Sequence, residues 1–145
     1  LNSNAYDKDS PWFYCDWGSP SQYNKTAWLK PDEVADIVNT LLLVQADSSA
    51  TEHLYQTDKA NPAGTDNWNE GRVKDELKNR GITPYNSVSS VSVGADFGSG
   101  VTNSVNVSGD AGSKSFSGAD FKNRFNLRAP ANIQIVGPLY NAEKR

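Results

Sequence analysis

Val91-Ser92-Val93-Gly94-Ala95-Asp96-Phe97, the turn Gly98-Ser99-Gly100 and the run from Val101 to Ser108 are the stretch on which the fold turns. Val91, Val93, Ala95 and Phe97 alternate with Ser, Gly and Asp, the period of a strand with one face buried. Val105 and Val107 repeat that period after the glycine-rich turn, so the pair reads as a hairpin. Gly109-Asp110-Ala111-Gly112 makes a second turn into a short strand through Phe116. Ser117 then caps a small helix, with Asp120 at the third helical position and Phe121 and Phe125 one turn apart. Pro130 closes it, and Ile133 and Ile135 are expected to form a fourth strand. Phe121 and Phe125 should pack against the sheet.

Upstream, the period changes from two to 3.6. Pro31 suits a first helical position, and Asp32 and Glu33 favour the positive end of a helix dipole. Val34, Ile37, Val38, Leu41 and Leu42 follow on one face, so a helix is expected to run to between Gln45 and Asp47. Residues 47–66 read as a loop. A second helix is expected over Asn67 to Gly81, with Asn67 as cap, Val73 and Leu77 inward, and Gly81 then Ile82 forming the C-terminal stop. Pro84 forbids continuation. The fold class is therefore α+β: an antiparallel β-meander packed against two to three helices. Residues 1–30 are expected to form an irregular, aromatic-rich N-terminal arm preceding one domain over 31–145, because Pro11, Gly18 and Pro20 punctuate Trp12, Phe13, Tyr14, Trp17 and Tyr23. Glu143 to Arg145 read as a mobile end.

Composition narrows the function classes. The 145 residues carry a net charge of −3 with Lys and Arg scattered singly, which gives no electrostatic footprint for nucleic acid. One Cys and one His fall short of a structural metal set, and neither a metal nor a cofactor is implied. Cys15 reads as a small apolar packer. No apolar run approaches the roughly 18 residues of a transmembrane helix. The chain has no Met, so Leu1 reads as a processed end or the start of a piece. The Asn-, Ser-, Gly- and Thr-rich composition is expected of an extracellular or cell-envelope protein. The glycine-rich segments lack the strand-to-helix context of a phosphate-binding loop.

Phe116-Ser117-Gly118-Ala119-Asp120-Phe121 followed by Arg124-Phe125-Asn126-Leu127-Arg128-Ala129-Pro130 resembles the closing segment of the stage II sporulation protein D/LytB amidase-enhancer family. The runs DSPWFYCDW, AWLKPDEVADIVNTLLL and NWNEGRVKDELKNRGITPYNSVSSVSV stand in the order expected for the later portion of such a domain. The resemblance implies bacterial peptidoglycan as substrate class, in a family that includes lytic transglycosylases and amidase enhancers. Two family features have no counterpart here: the acidic AAEMP…AQAVAARTYA region tied to glycan cleavage, and the GHGVGMSQ segment. No catalytic residue is carried over, and the catalytic residues are unknown.

Candidate ligand residues are Arg128 and Arg124, which flank Phe125 and whose guanidinium groups can pair bidentately with a muramyl or stem-peptide carboxylate. The opposing account is that one of them ties the helix end to a nearby acid. Trp12 and Trp17 are candidate sugar-stacking platforms, against the alternative that such rings fill the core. His53 is the only imidazole. The leading expectation is a cell-envelope domain that supports peptidoglycan binding or remodelling, with catalysis supplied by an N-terminal portion or not at all. A non-enzymatic extracellular subunit assembling through its N-terminal arm, and a stand-alone carbohydrate-binding module, are the alternatives.

Overall fold

The computed structural model describes residues 13–17, 26–57, 60–129, 134–135 and 137–144, with side chains described from Leu29 to Ala142. Within the aromatic-rich N-terminal stretch, β1 (Phe13–Trp17) and β2 (Thr26–Leu29) form an antiparallel pair. Next come α1 (Pro31–Ala46), a short 3-10 helix (Ser48–His53) and α2 (Glu70–Asn79). The chain then forms β3 (Val88–Asp96), β4 (Val101–Gly109) and β5 (Gly112–Ser117). It ends with α3 (Gly118–Arg128) and β6 (Tyr140–Lys144). The architecture is α+β. Its meander is the sheet β3-β4-β5, and a second antiparallel sheet has the order β2-β1-β6.

α1 is more deeply buried than one stripe requires. Val34, Ile37, Val38, Leu41 and Leu42 are all in the core, and so are Ala35, Asn39, Thr40 and Leu43. The helix lies between α2 and α3 and also meets β3, which accounts for burial on more than one side. Its interior amide is satisfied at long range. Asn39 Nδ2 donates to the Tyr85 carbonyl and Asn39 Oδ1 accepts from the Tyr85 N–H, both at 2.8 Å. A buried amide with both ends paired fixes the entry to the meander without the cost of an orphaned polar group.

α2 starts later than the sequence pattern indicates. Asn69 is the cap, accepting from the Arg72 N–H at 2.8 Å. Asn67 instead holds the preceding loop, where its amide donates to the Gln56 carbonyl at 2.9 Å. The C-terminal stop is as expected: Gly81 has φ +76°, and the Ile82 N–H returns to the Leu77 carbonyl at 2.9 Å.

Phe97 is a correction. The ladder between β3 and β4 shifts register between Gly94 and Ala95, which ends the strict alternation. Phe97 consequently sits in the hairpin turn and is 81% exposed. The segment around Ile135 is a second correction. Ile135 is buried but lies outside any strand; its backbone N–H and carbonyl pair with the Asn126 side chain at 2.6 and 2.9 Å. Ile133 lies outside the described residues. The closing strand comes later, as β6, and pairs with β1 rather than with the meander. Glu143 and Lys144 are therefore ladder residues, opposite Tyr14 and Phe13.

Thr102 joins the two sheets. Its hydroxyl donates to the Tyr140 carbonyl at 2.6 Å and accepts from the Tyr140 N–H at 2.9 Å. The Thr102 N–H donates to the Pro138 carbonyl at 2.9 Å. The Tyr140 hydroxyl donates to the Gly118 carbonyl at the start of α3. These bonds seat α3, whose Phe121 and Phe125 are buried with ring centroids 6.2 Å apart.

Candidate functional site: the cleft between α1 and α3

α3 begins where sequence chemistry places it. The Ser117 side chain accepts from the Asp120 N–H at 3.1 Å, and Asp120 adds negative charge in the first turn. Phe121 and Phe125 lie on the buried side of this helix, which packs on β4 and β5, and Phe121 stacks on Tyr140 of β6. The two candidate arginines are thereby carried toward α1, and they meet different environments.

Arg128 is an internal brace. Its Nε donates to Asp36 Oδ2 at 2.7 Å, Nη2 to Asp36 Oδ1 at 3.1 Å, and Nη1 to the Tyr55 carbonyl at 2.9 Å. The side chain is 1% exposed. Its fork is occupied on both edges by α1 and the loop before α2, so the expectation that Arg128 faces a ligand is corrected. The bidentate carboxylate and the carbonyl offset the cost of holding this guanidinium inside the protein.

Arg124, one turn earlier, is 5% exposed, and its Nη1 is buried with no hydrogen-bond partner. Among the described residues no carboxylate forms an ion pair with it. Burial lowers its pKa and the like charge of Arg128 lowers it further, against an opposing contribution from Tyr55. Asp120 stands four residues before it, the spacing of a helical ion pair, and yet does not form one.

Arg124 lines a cleft of about 440 Å³. From α1 the walls are Leu41, Val44 and Gln45; from α3 they are Asp120, Asn123, Arg124, Asn126 and Leu127. The size falls in the ordinary range for small-ligand sites, which runs from roughly 300 to 1,000 Å³. Chemically the cleft combines an aliphatic floor, three carboxamides, one carboxylate and one charge-uncompensated guanidinium. That set suits a ligand with a sugar's mix of apolar faces and hydroxyls together with an anionic group. A smaller recess of about 190 Å³ lies at the start of α3 beside Thr102, Gly118 and Tyr140.

The remaining sequence candidates lie elsewhere. Trp12 is outside the described residues. Trp17 ends β1 opposite Tyr140, and its indole is not among the described side chains. His53 stacks on Trp68 with ring centroids 4.3 Å apart and planes 5° apart, while Arg72 covers the same indole at 4.6 Å. His53 Nδ1 lies 3.1 Å from Asp66 Oδ1 and Nε2 lies 3.3 Å from Glu52 Oε1. His53 Nδ1 also lies 2.9 Å from the Asp66 carbonyl, which ties the 3-10 helix to the loop before α2. Among the described residues no group of three or more His, Cys, Asp or Glu side chains is placed to hold a metal ion.

Glu70 opens α2, where its acidic side chain suits the first turn. Although Glu70 is exposed, partial desolvation of its carboxyl raises the pKa, and the negative charges of Asp36 and Asp32 raise it further. Glu70 does not line the cleft. The helix-start pattern gave no signal of this, because Asp36 and Asp32 reach it from α1.

No family model, curated protein or solved structure matches this chain. The cleft's own chemistry therefore has to carry the functional reading.

Proposed function

We propose that the protein is a cell-envelope domain that binds peptidoglycan through the cleft between α1 and α3, and does not itself cleave the glycan. The observation that carries this reading is the pairing of an aliphatic and carboxamide-lined cleft with the uncompensated Arg124. Peptidoglycan offers both halves of the complement, N-acetylated sugars and free carboxylates. The resemblance of the segment from Phe116 to Pro130 to the sporulation protein D/LytB closure supports the same polymer, since residues within it form one wall of the cleft. Remodelling chemistry, in this reading, comes from a partner or from an N-terminal catalytic portion.

Co-sedimentation with purified sacculi tests the proposal, with chitin as the uncharged N-acetylated control. Retention on sacculi and not on chitin is the expected result, with no anhydromuropeptides in the supernatant by mass spectrometry. Retention on neither polymer removes peptidoglycan as the ligand, and equal retention on both makes the ligand N-acetylated glycan at large instead of peptidoglycan in particular. Released anhydromuropeptides overturn the non-cleaving half of the reading and direct attention to Glu70.

A further inference from the structure

We infer that Arg124 is the anchor of a carboxylate-binding site, so that the cleft selects ligands carrying a free carboxylate over neutral sugars of the same shape. The inference deepens the peptidoglycan reading by naming the group that is recognised. It also stands on geometry that does not depend on which polymer carries that group.

Desolvation makes Arg124 conspicuous. A guanidinium presents five N–H donors and is rarely buried without partners. Arg128, on the same helix and just as deep, shows what satisfaction looks like here: a bidentate carboxylate and a backbone carbonyl. Arg124 has neither, and it also bears the repulsion of Arg128. For folding alone, an apolar side chain of similar length would serve better at this position. The arrangement becomes favourable once an external anion enters. A ligand carboxylate in the cleft would supply the missing countercharge, and acceptors in a fork once the guanidinium, whose Nη1 is closed to solvent as it stands, turns toward it; that charge would be worth most in this half-enclosed setting.

The neighbours fit that role. Asn123 and Gln45 offer amides to hydroxyl or N-acetyl groups, and Leu41, Val44 and Leu127 offer aliphatic surface to a sugar face. Leu127 is 37% exposed, an apolar side chain left at the cleft's rim. Asp120 disfavours ligands with a second negative charge near the helix start, so one carboxylate, not a phosphate dianion, is the better match.

The test compares three small probes by thermal shift and by NMR of the arginine side-chain resonances. N-acetylmuramic acid and N-acetylglucosamine differ by the lactyl carboxylate, and N-acetyl-D-alanyl-D-alanine carries the carboxylate of a peptide terminus. A saturable rise in Tm with one or both carboxylate probes is expected, with a shift of the Arg124 Nε signal and no comparable response to N-acetylglucosamine. Which of the two responds identifies the lactyl or the peptide source. Arg124→Met should weaken the response by about tenfold or more, as loss of a charge-assisted fork requires, while leaving the ligand-free Tm equal or higher.

Binding of the neutral sugar with equal strength overturns the inference, as does the absence of any response to either carboxylate. A marked fall in ligand-free Tm for Arg124→Met would show that Arg124 is a brace. The two proposals can fail separately. Carboxylate binding without retention on sacculi sinks the peptidoglycan reading alone, and sacculus retention unchanged in Arg124→Met sinks the carboxylate site alone.

Discussion

Gly118 occupies a place where one added carbon would lie 1.8 Å from the carbonyl oxygen of Thr102. No rotamer relieves a clash with backbone, so α3 can start against β4 only if this position lacks a Cβ. Gly118→Ala should therefore destabilise the fold by about 1–3 kcal/mol or more, as overpacking does, read as a lower denaturant midpoint. Arg128→Ala should be worse. It strands Asp36, whose side chain is 12% exposed, without its partner, and breaking such a pair costs about 3–5 kcal/mol. The additional change Asp36→Ala should recover part of the loss. At this scale the sequence is half legible. Ser117 announces itself as a cap by its spacing to Asp120, and that prediction is met. The reason for Gly118 lies on another strand. Arg124 and Arg128 look equivalent in the chain because the carboxylate that separates their roles is 92 residues away from Arg128.

Among elements, α1 carries the greatest share of the core and was the most readable, since its 3.6 period extends through five apolar positions. Leu41 is 3% exposed and also lines the cleft, so Leu41→Ala should cost about 2–5 kcal/mol. Calorimetric or chemical unfolding of the variant measures it. The junction after α1 supplies a pH dependence. The Ser49 hydroxyl, then Arg80 from the end of α2, then the Ser49 N–H hold the Asp47 carboxyl down from 3.8 to about 2. A lowered pKa in the folded state means that this stabilisation is intact above about 3.8 and disappears as pH falls through about 2. Asp47→Asn should flatten the stability profile across that window and leave the variant slightly weaker at neutral pH. Acid titrations followed by circular dichroism will show it. α2 starts two positions later than its sequence pattern indicates, for a physical reason. Asn67 and Asn69 are both competent caps, and only tertiary contact decides that Asn67 ties down the loop.

Across the whole molecule, the meander could be read and the second sheet could not. Strands β3, β4 and β5 are sequence neighbours joined by short glycine-bearing turns, so pairing follows from local pattern. β1 and β6 come from near opposite ends of the chain, and no periodicity within either one names the other. The expected strand at Ile135 failed for the same reason: the apolar side chain does pack inward, but Asn126 satisfies its backbone and no ladder is needed. Thr102 is the point where the readable sheet and the unreadable one meet. Thr102→Val keeps the shape and deletes the hydroxyl, leaving the Tyr140 N–H and carbonyl without that partner. A loss of about 1–3 kcal/mol is expected for such buried groups, measurable as a shifted urea midpoint with an unchanged transition slope.

The pairing of β1 with β6 has a mechanical consequence. Phe13 stands opposite Lys144 and Trp17 opposite Tyr140, so the outward-leading ends of the two strands emerge at the same end of the ladder. Antiparallel ladder bonds lie across the strands. Tension applied between the ends of the chain would thus meet these bonds one rung at a time, opening the seam like a zipper instead of shearing every rung together. Pulled by both ends, the protein would yield at low force, and the first part to open would be the sheet β2-β1-β6. The cleft walls, α1 and α3, would come under load only after that seam had parted.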